Sequence, residues 1–563
     1  MGLLSHLPST TLYPGAALLG TTSHLAIFIR GEWHMQSPVL FWIYAFLTAT
    51  IFAIINLKQG DHPFQTTFFI TTSYSLGLFT SISIYRLYFH RLRSFPGPKL
   101  AALTKFWHVW QCRRGKNHLV IERLQAQYGN VIRTGPEELT IIDPSVPSTI
   151  DGPKSTCTKA VWYDFLLPEI ALNTTRSVAE HDQRRKVWDK GFSSAAMREY
   201  DERVRHHAEI LADRIESLSR QGKAVDVSDW FYFFTFDVMG EFAFGQGFEM
   251  LQSQKWHWAV RLLRRAMGLL GPFSAVPWLA QVAFYVLPWM WVVRDWLGMM
   301  EWCKERMGER IQRHGKGCLR RDVSHWLIEE SLGRGTLERD REWLNGDAVT
   351  VVIAGSDTIA PTLVFAFYEL VRNRGLQETL TRELEGVDIY DKGELAKVGL
   401  LTGVIKETMR LWPAVPTGGY RQTPDGGLEI AGSWVPGGVT IVSPRWSLGR
   451  SELAYERADE WIPERWTTKP EMVRDARGFQ PFSQGRFNCV GKALAMAEMR
   501  FVIALLLTRF EVGFSTEERG ERLVGELRDQ FTASPGALEL EFRVRVGSHS
   551  CKFLPQHSIK ASL

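Results

Sequence analysis

Between Val39 and Leu57 the chain reads VLFWIYAFLTATIFAIINL, 19 residues without a charged side chain. A helix of that length crosses about 30 Å, the thickness of a bilayer's hydrocarbon core. Such a run must be covered with apolar material all round, so it is a lipid span or a core helix, and its length predicts a span. A second uncharged run, Pro63 to Tyr85, is also long enough, although rich in Ser and Thr; a third, Tyr13 to Ile29, carries Pro14 and His24. We therefore expect residues 1–90 to form a membrane anchor with one to three transmembrane helices, with lipid as a partner. No small-residue cleavage site follows the first apolar run, and the segment reads as a retained anchor. Arg86, Arg91, Arg93, Lys99 and Lys105 follow the last run. By the positive-inside rule they put that flank, and everything after it, in the cytoplasm.

The anchor is followed by Phe95-Pro96-Gly97-Pro98-Lys99. Two prolines around a glycine cannot continue a helix, and residues 91–98 read as a stiff hinge. Residues 99–563 then look like one large, mainly α domain with small β-sheets. Helical patterns cover Lys116–Tyr128, Ala195–Arg220, Gly298–His314, Asn345–Arg372, Leu376–Leu384 and Gly403–Leu411. Strand-like alternation appears at Glu138–Ile142, Leu428–Ile430, Thr440–Val442 and Leu538–Val546. A net charge of +5 over 563 residues, with no basic stripe interleaved with aromatics, argues against a nucleic-acid partner. The chain has 21 tryptophans, many before residue 110 or between Trp256 and Trp302, which points to lipid or to large apolar ligands. The Trp256–Trp302 segment itself could be core, a substrate lid or a surface dipping into the membrane interface. Cys112, Cys157, Cys303, Cys318, Cys489 and Cys551 are scattered, without a CxxC pair. That argues against a disulfide scaffold and a zinc site and fits a reducing compartment.

Four short motifs carry chemistry. Cys489 lies in PFSQGRFNCVGKALA, between Gly485 and Gly491 and just ahead of an apolar helix. A helix N-terminus stabilises a thiolate, which suits a metal ligand, a nucleophile, or a small buried hydrophobe. AGSDT, Ala354 to Thr358, puts Asp357 and Thr358 inside an apolar helix. There they are either a back-bonded Thr beside a solvent-facing Asp, or a proton-relay pair in a groove opened by Ala354 and Gly355. KETMR places Glu407 and Arg410 three residues apart on one helical face. PERW, Pro463 to Trp466, follows an aromatic-rich loop and says little alone.

In this order and at these separations the four motifs resemble those of the cytochrome P-450 family, over roughly residues 90–546. The resemblance implies a mainly α cytochrome P-450 fold with small β-sheets, and haem b as cofactor. It makes Cys489 the axial thiolate ligand of the iron. Phe482 would pack against the haem, and Glu407, Arg410 and Arg465 would form a buried charged triad that fixes the cysteine loop. HDQRRKVW resembles the segment that binds haem propionates, which nominates His181, Arg185 and Trp188; Arg421 matches another propionate position. The family's usual arginine two residues before the cysteine is here Phe487, and Arg486 sits one place earlier. A His-Arg-Asp common in the family is replaced in LGRSELAYERADEW, and Ile359 stands where a second Thr is frequent.

The function so implied is a haem-thiolate monooxygenase that inserts one oxygen atom from O2 into an apolar molecule. Asp357 and Thr358 would deliver protons, and electrons would come from NADPH-cytochrome P-450 reductase. Anchor and motif style together look like the fungal secondary-metabolite members of the family, on the endoplasmic reticulum. Two alternatives remain: an oxygen-independent isomerase or dehydratase, against which the Asp357–Thr358 pair argues, and a membrane-anchored haem protein that only binds gas.

Overall fold

The computed structural model describes residues 9–58, 62–167, 169–314 and 321–545. Cys318, Cys551 and the last residue of the expected strand Leu538–Val546 lie outside them.

Three apolar helices open the chain. The first, Ser9–Ser23, continues as a π turn to Phe28; the second is Ser37–Leu57; the third, Pro63–Ile84, continues as a π turn to Phe89. The second and third are long and apolar enough to cross a membrane, with mean hydropathies of 2.1 and 1.2. The first is 15 residues long before its π turn and is strapped to the third. A Cβ on Gly20 would lie 2.1 Å from the Tyr74 carbonyl oxygen, and one on Gly77 2.0 Å from that of Ala17. Two backbones can therefore meet closely only because both positions lack a side chain, a packing that lipid-embedded helices favour. Polar ties close the group: His24 Nδ1 lies 2.8 Å from Ser81 Oγ, and the Tyr44 and Tyr74 hydroxyls are 2.8 Å apart. Leu18, Phe46, Leu57, Phe64 and Phe79 face outward, fully apolar and exposed.

The loop between the first two helices returns to the globular body. Arg176 Nη1 donates to Glu32 at 2.8 Å and to Asp164 at 2.7 Å, and His34 Nε2 lies 2.8 Å from Asp164 Oδ2. The proline-rich turn is packed rather than free. The Arg133 amide donates to the Pro96 carbonyl at 2.6 Å, and a Cβ on Gly97 would lie 2.5 Å from the Arg133 carbonyl oxygen.

The body is helical around Arg341–Arg372, a 32-residue helix. It too is apolar enough to cross a membrane, but 72% of its most apolar window is buried inside the protein. Here length and hydropathy alone describe a core helix. Val227–Phe244, itself almost wholly buried, packs along it, as do Trp291–Arg313 and Gly399–Leu411. The five-stranded sheet runs in the order Val131–Gly135, Glu138–Ile141, Thr440–Val442, Tyr420–Gln422, Thr158–Lys159. Glu138–Ile141 and Thr440–Val442 are parallel and the other neighbours antiparallel. A second sheet joins Val225–Asp226, Glu539–Val544 and Phe510–Phe514.

The aromatic segment Trp256–Trp302 divides by face. Leu263, Met267, Met299 and Met300 point into the core, while Tyr285, Trp289 and Trp291 are exposed. This outer part lies beside the anchor, where Ser37 Oγ donates to the Trp278 carbonyl at 2.9 Å.

Candidate active site

Cys489 ends a tight loop ahead of Lys492–Arg509. Its amide donates to the Phe482 carbonyl at 2.8 Å, closing the turn. Gly485 has a φ of +61°, and a Cβ there would lie 2.2 Å from the Asp151 carbonyl oxygen. Glycine is required on both counts, since the loop docks against the end of helix Val146–Asp151. Ser483, without that excuse, also holds a positive φ of 53°.

Among the described cysteines, Cys112, Cys157 and Cys303 are buried and Cys489 alone is accessible. The surrounding protein nonetheless desolvates the thiol, and burial is the largest influence on it. Burial pushes its pKa up, against the Gly491 N–H and the charges of Arg185, Lys492 and Arg445. The helix N-terminus and these cations favour a thiolate but do not outweigh desolvation by themselves; a bound metal cation would.

Next to this loop the protein gathers buried cations. Lys159 and Arg421 are each 5.0 Å from the centre of the Phe487 ring, and His181 meets its edge at 4.8 Å. Arg445 donates to the Gln480 carbonyl at 3.0 Å, and Arg185 to the Asn488 carbonyl at 2.9 Å. Asp151 accepts from Arg421 and, at 3.1 Å, from Ser483 Oγ, while toward the outside Asp189 accepts from Arg185 at 2.7 Å and Asp182 lies 3.1 Å from His181 Nδ1. Burial, then the charge of Arg421, pushes the Lys159 ammonium well below the ordinary lysine range. Burial holds His181 down at about 4. Lys159 and Arg421 are buried side by side with one carboxylate, Asp151, bonded to the pair, which leaves the site short of negative charge and suits a dianionic macrocycle with two carboxylate arms.

Not every nominated residue is in that group. Trp188 turns to the central helix, where its indole N–H donates to Asp347 Oδ2 at 3.0 Å beside Arg184 Nε at 2.6 Å. Its donor is therefore spent. Arg486 points outward, half exposed, and lies 3.4 Å from Asp182. Phe482 is half-buried, with Lys492 Nζ 5.9 Å from its ring centre. Lys159, Asp151 and Arg445 had no motif to mark them.

Glu407, Arg410 and Arg465 meet with no solvent exposure on any of the three side chains. Glu407 Oε1 accepts from Arg410 at 2.8 Å, from Arg465 at 2.9 Å and from the Ile462 amide at 2.8 Å; Oε2 accepts from Arg410 at 2.9 Å and from the Trp466 indole at 2.8 Å. The remaining guanidinium hydrogens go to carbonyls, among them Ala458 at 2.6 Å and Glu456 at 3.0 Å. A Cβ on Gly449 would lie 2.1 Å from the Arg410 carbonyl oxygen, so the position before Arg450 has no room for a histidine.

On the central helix Thr358 Oγ1 donates to the Ala354 carbonyl at 2.7 Å, the back-bonded state, and Ala354 is exposed. Gly355 does not share that opening as the sequence suggested. A Cβ there would sit 2.0 Å from Met239 Sδ, because Gly355 is the seat for a neighbouring helix. Asp357 is buried, not solvent-facing. Burial raises its pKa from the usual 3.8 to about 6, with Arg264 pulling the other way. Pro361 follows four residues on and has no N–H for the Asp357 carbonyl, which loosens the helix where the pair sits.

The family model described as Cytochrome P450 matches residues 96–535. The chain is 37% identical to cytochrome P450 monooxygenase FCK2 of Fusarium pseudograminearum (strain CS3096), over 94% of this chain and 97% of that protein. It is 35% identical to the tryprostatin B 6-hydroxylase of Aspergillus fumigatus, over 92% of this chain and 93% of that one. The crystal structure of the cytochrome P450DA heme domain superposes with a TM-score of 0.65 at 18% identity, covering 80% of this chain and 98% of that one.

Proposed function

Because the chain belongs to the cytochrome P450 family, whose haem is held by a cysteine thiolate and serves monooxygenation, we propose that Cys489 is that ligand and that residues 99–563 form the catalytic domain. The observation that carries this reading is that Cys489, the one exposed cysteine among the described residues, lies on the loop of Phe487, whose ring is flanked by the buried cations Lys159 and Arg421. Haem b bound there supplies the activation of O2, driven by electron donation from the thiolate.

The chain's own groups do the rest. The turn closed by the Phe482 carbonyl fixes the sulfur, and the Gly491 N–H with Arg185 and Lys492 favours its anionic form. Arg421, Arg185 and His181 would receive the carboxylate arms. Asp357, with a pKa of about 6, both accepts and releases a proton near neutral pH, as a general acid should. The Thr358 hydroxyl, once freed from the Ala354 carbonyl, passes that proton on. The Glu407–Arg410–Arg465 network holds the loops that carry Cys489 and touches no reacting atom.

Residues 1–90 anchor the protein and 91–98 join anchor to body. The basic flank after the third helix supports an endoplasmic-reticulum location with the catalytic domain in the cytoplasm. Lys492 and Arg486, exposed near the cysteine loop, suit docking of NADPH-cytochrome P-450 reductase. The substrate is an apolar secondary metabolite with a terpenoid, polyketide or indole-alkaloid skeleton; the relative named for tryprostatin B supports the last. The test is full-length protein with reductase, NADPH and ¹⁸O2, offered such precursors. One ¹⁸O atom per product molecule is expected. Product without label would favour rearrangement or dehydration, and a haem spectrum without NADPH-dependent O2 consumption would favour gas binding.

A further inference from the structure

We propose that the membrane anchor takes part in substrate recognition: Glu32 and His34, on the loop between its first two helices, are positioning residues that hold the aromatic turn Val161–Leu166 as a wall of the substrate site. The inference rests on the haem-thiolate reading above.

The turn carries two features that a plain core element does not need. Trp162 stacks on Tyr420, with ring centres 5.1 Å apart, and on Phe531 at 4.6 Å. Phe531 holds a φ of +75° between the paired strands Arg528–Gln530 and Thr532–Ser534. For a bulky side chain that conformation is strained, and such strain collects where ligands are held. Trp162 is itself only 6% exposed, and its indole N–H has no partner among the described residues. A buried donor of that kind is answered by an acceptor on an apolar ligand. The stack also bridges the two halves of the site. Tyr420 adjoins Arg421, which faces Phe487 on the cysteine loop, and Thr532–Ser534 packs on the central helix that carries Asp357 and Thr358.

The anchor grips this turn by side chain and by backbone. Asp164, on the turn, accepts from Arg176 Nη1 at 2.7 Å and lies 2.8 Å from His34 Nε2. Glu32 accepts from Arg176 Nη1 at 2.8 Å and from Nη2 at 3.0 Å. Glu32, His34 and Asp164 are close enough together to ligate a metal ion, but Arg176 Nη1 already answers both carboxylates. Hydrogen bonding to Arg176 holds the Glu32 carboxyl below its usual range, so this contact is charged at neutral pH. On the backbone, fully buried Gln281 donates to the Asp164 and Phe165 carbonyls at 3.2 and 3.3 Å. Its helix, Pro277–Val286, packs on the anchor helix Ser37–Leu57. The arrangement suits a bilayer. Two spans, Ser37–Leu57 and Pro63–Ile84, separate the clasping loop from the body, and an even number of crossings returns the chain to the same side.

The test compares full-length, haem-loaded wild type with Glu32→Ala/His34→Ala, both in lipid nanodiscs. Amide hydrogen exchange across residues 158–167 reads the hold on the turn. Spectral titrations with imidazole and with clotrimazole, an imidazole bearing three aromatic rings, read the wall. Loss of two partly exposed ion contacts should speed exchange and weaken clotrimazole binding, each by about threefold to tenfold. Imidazole, too small to reach the wall, should bind as before. Glu32→Asp keeps the charge and should stay within about twofold of wild type in both readouts. Unchanged exchange would overturn the proposal, and so would faster exchange with unchanged clotrimazole affinity. An equal loss of imidazole affinity would also overturn it, since that marks general damage around the haem. Glu32→Ala alone serves the comparison if the double variant does not fold. If wild type shows no thiolate-ligated haem spectrum, the reading of Cys489 falls first; an intact spectrum with an indifferent double variant overturns this inference alone.

Discussion

Two clusters of buried charge in the catalytic body are built on opposite rules. Around Glu407 every charge is answered: one carboxylate accepts from Arg410, Arg465, a tryptophan and an amide, and the spare guanidinium hydrogens reach carbonyls. Around Phe487 the charges are not all answered: Arg421 pairs with Asp151, the same carboxylate acts on Arg445, and Lys159 donates only to the Leu172 carbonyl. The first cluster needs nothing more and is scaffold. The second would be costly on its own, and the haem-thiolate reading proposes the anion that would complete it. The balance of charge, more than the number of charged residues, separates framework from site.

Breaking the answered cluster should have the largest effect. Glu407→Ala strands two buried guanidinium groups and should cost on the order of 3–5 kcal/mol, leaving protein that does not hold haem. Soluble Glu407→Ala with full haem absorbance would contradict the scaffold role. Next comes Asp357→Asn, which removes a titrating group without changing shape. Product formed per NADPH should fall about 100-fold, with the fold intact. A folded pKa raised from 3.8 to about 6 means that stability is fully present below about pH 4 and is lost as the pH rises through 6. The Asn variant should lack that slope and, at neutral pH, unfold at a higher temperature than wild type.

Glu498 sharpens the comparison with an unanswered anion. It is fully buried on Lys492–Arg509, neither carboxylate oxygen has a partner among the described residues, and burial raises its pKa from 4.5 to about 8. It escapes its cost by holding a proton. Its contribution is present below about pH 4.5 and declines as the pH climbs to 8. Glu498→Met should therefore stabilise the protein by on the order of 1–4 kcal/mol, more at pH 8 than at pH 5, in denaturant titrations. The smallest effect belongs to Arg486→Ala. Its pair with Asp182 is half exposed at 3.4 Å and should be worth less than about 1 kcal/mol, with haem retention unchanged.

Much of this architecture was legible in the chain. Val39–Leu57 and Pro63–Tyr85 announce themselves by length and lack of charge, and helix ends fell within a few residues except at Gly298, where the helix begins at Trp291. The interaction of Glu407 with Arg410 follows from a three-residue spacing. What could not be read is whatever depends on pairing between distant segments. Lys159 acquires meaning only through the strand that sets it against Arg421, and Trp188 loses its expected part only because Asp347, 159 residues later, faces it. Gly355 looked like open space because a sequence shows a missing side chain but not the Met239 that fills it.

The most direct measurement is the carbon monoxide difference spectrum of reduced full-length protein, wild type against Cys489→Ser. The account predicts the red-shifted band of a thiolate-ligated haem in wild type and its loss in the Ser variant, with helical content unchanged. A Cys489→Ser protein that keeps the band would contradict it.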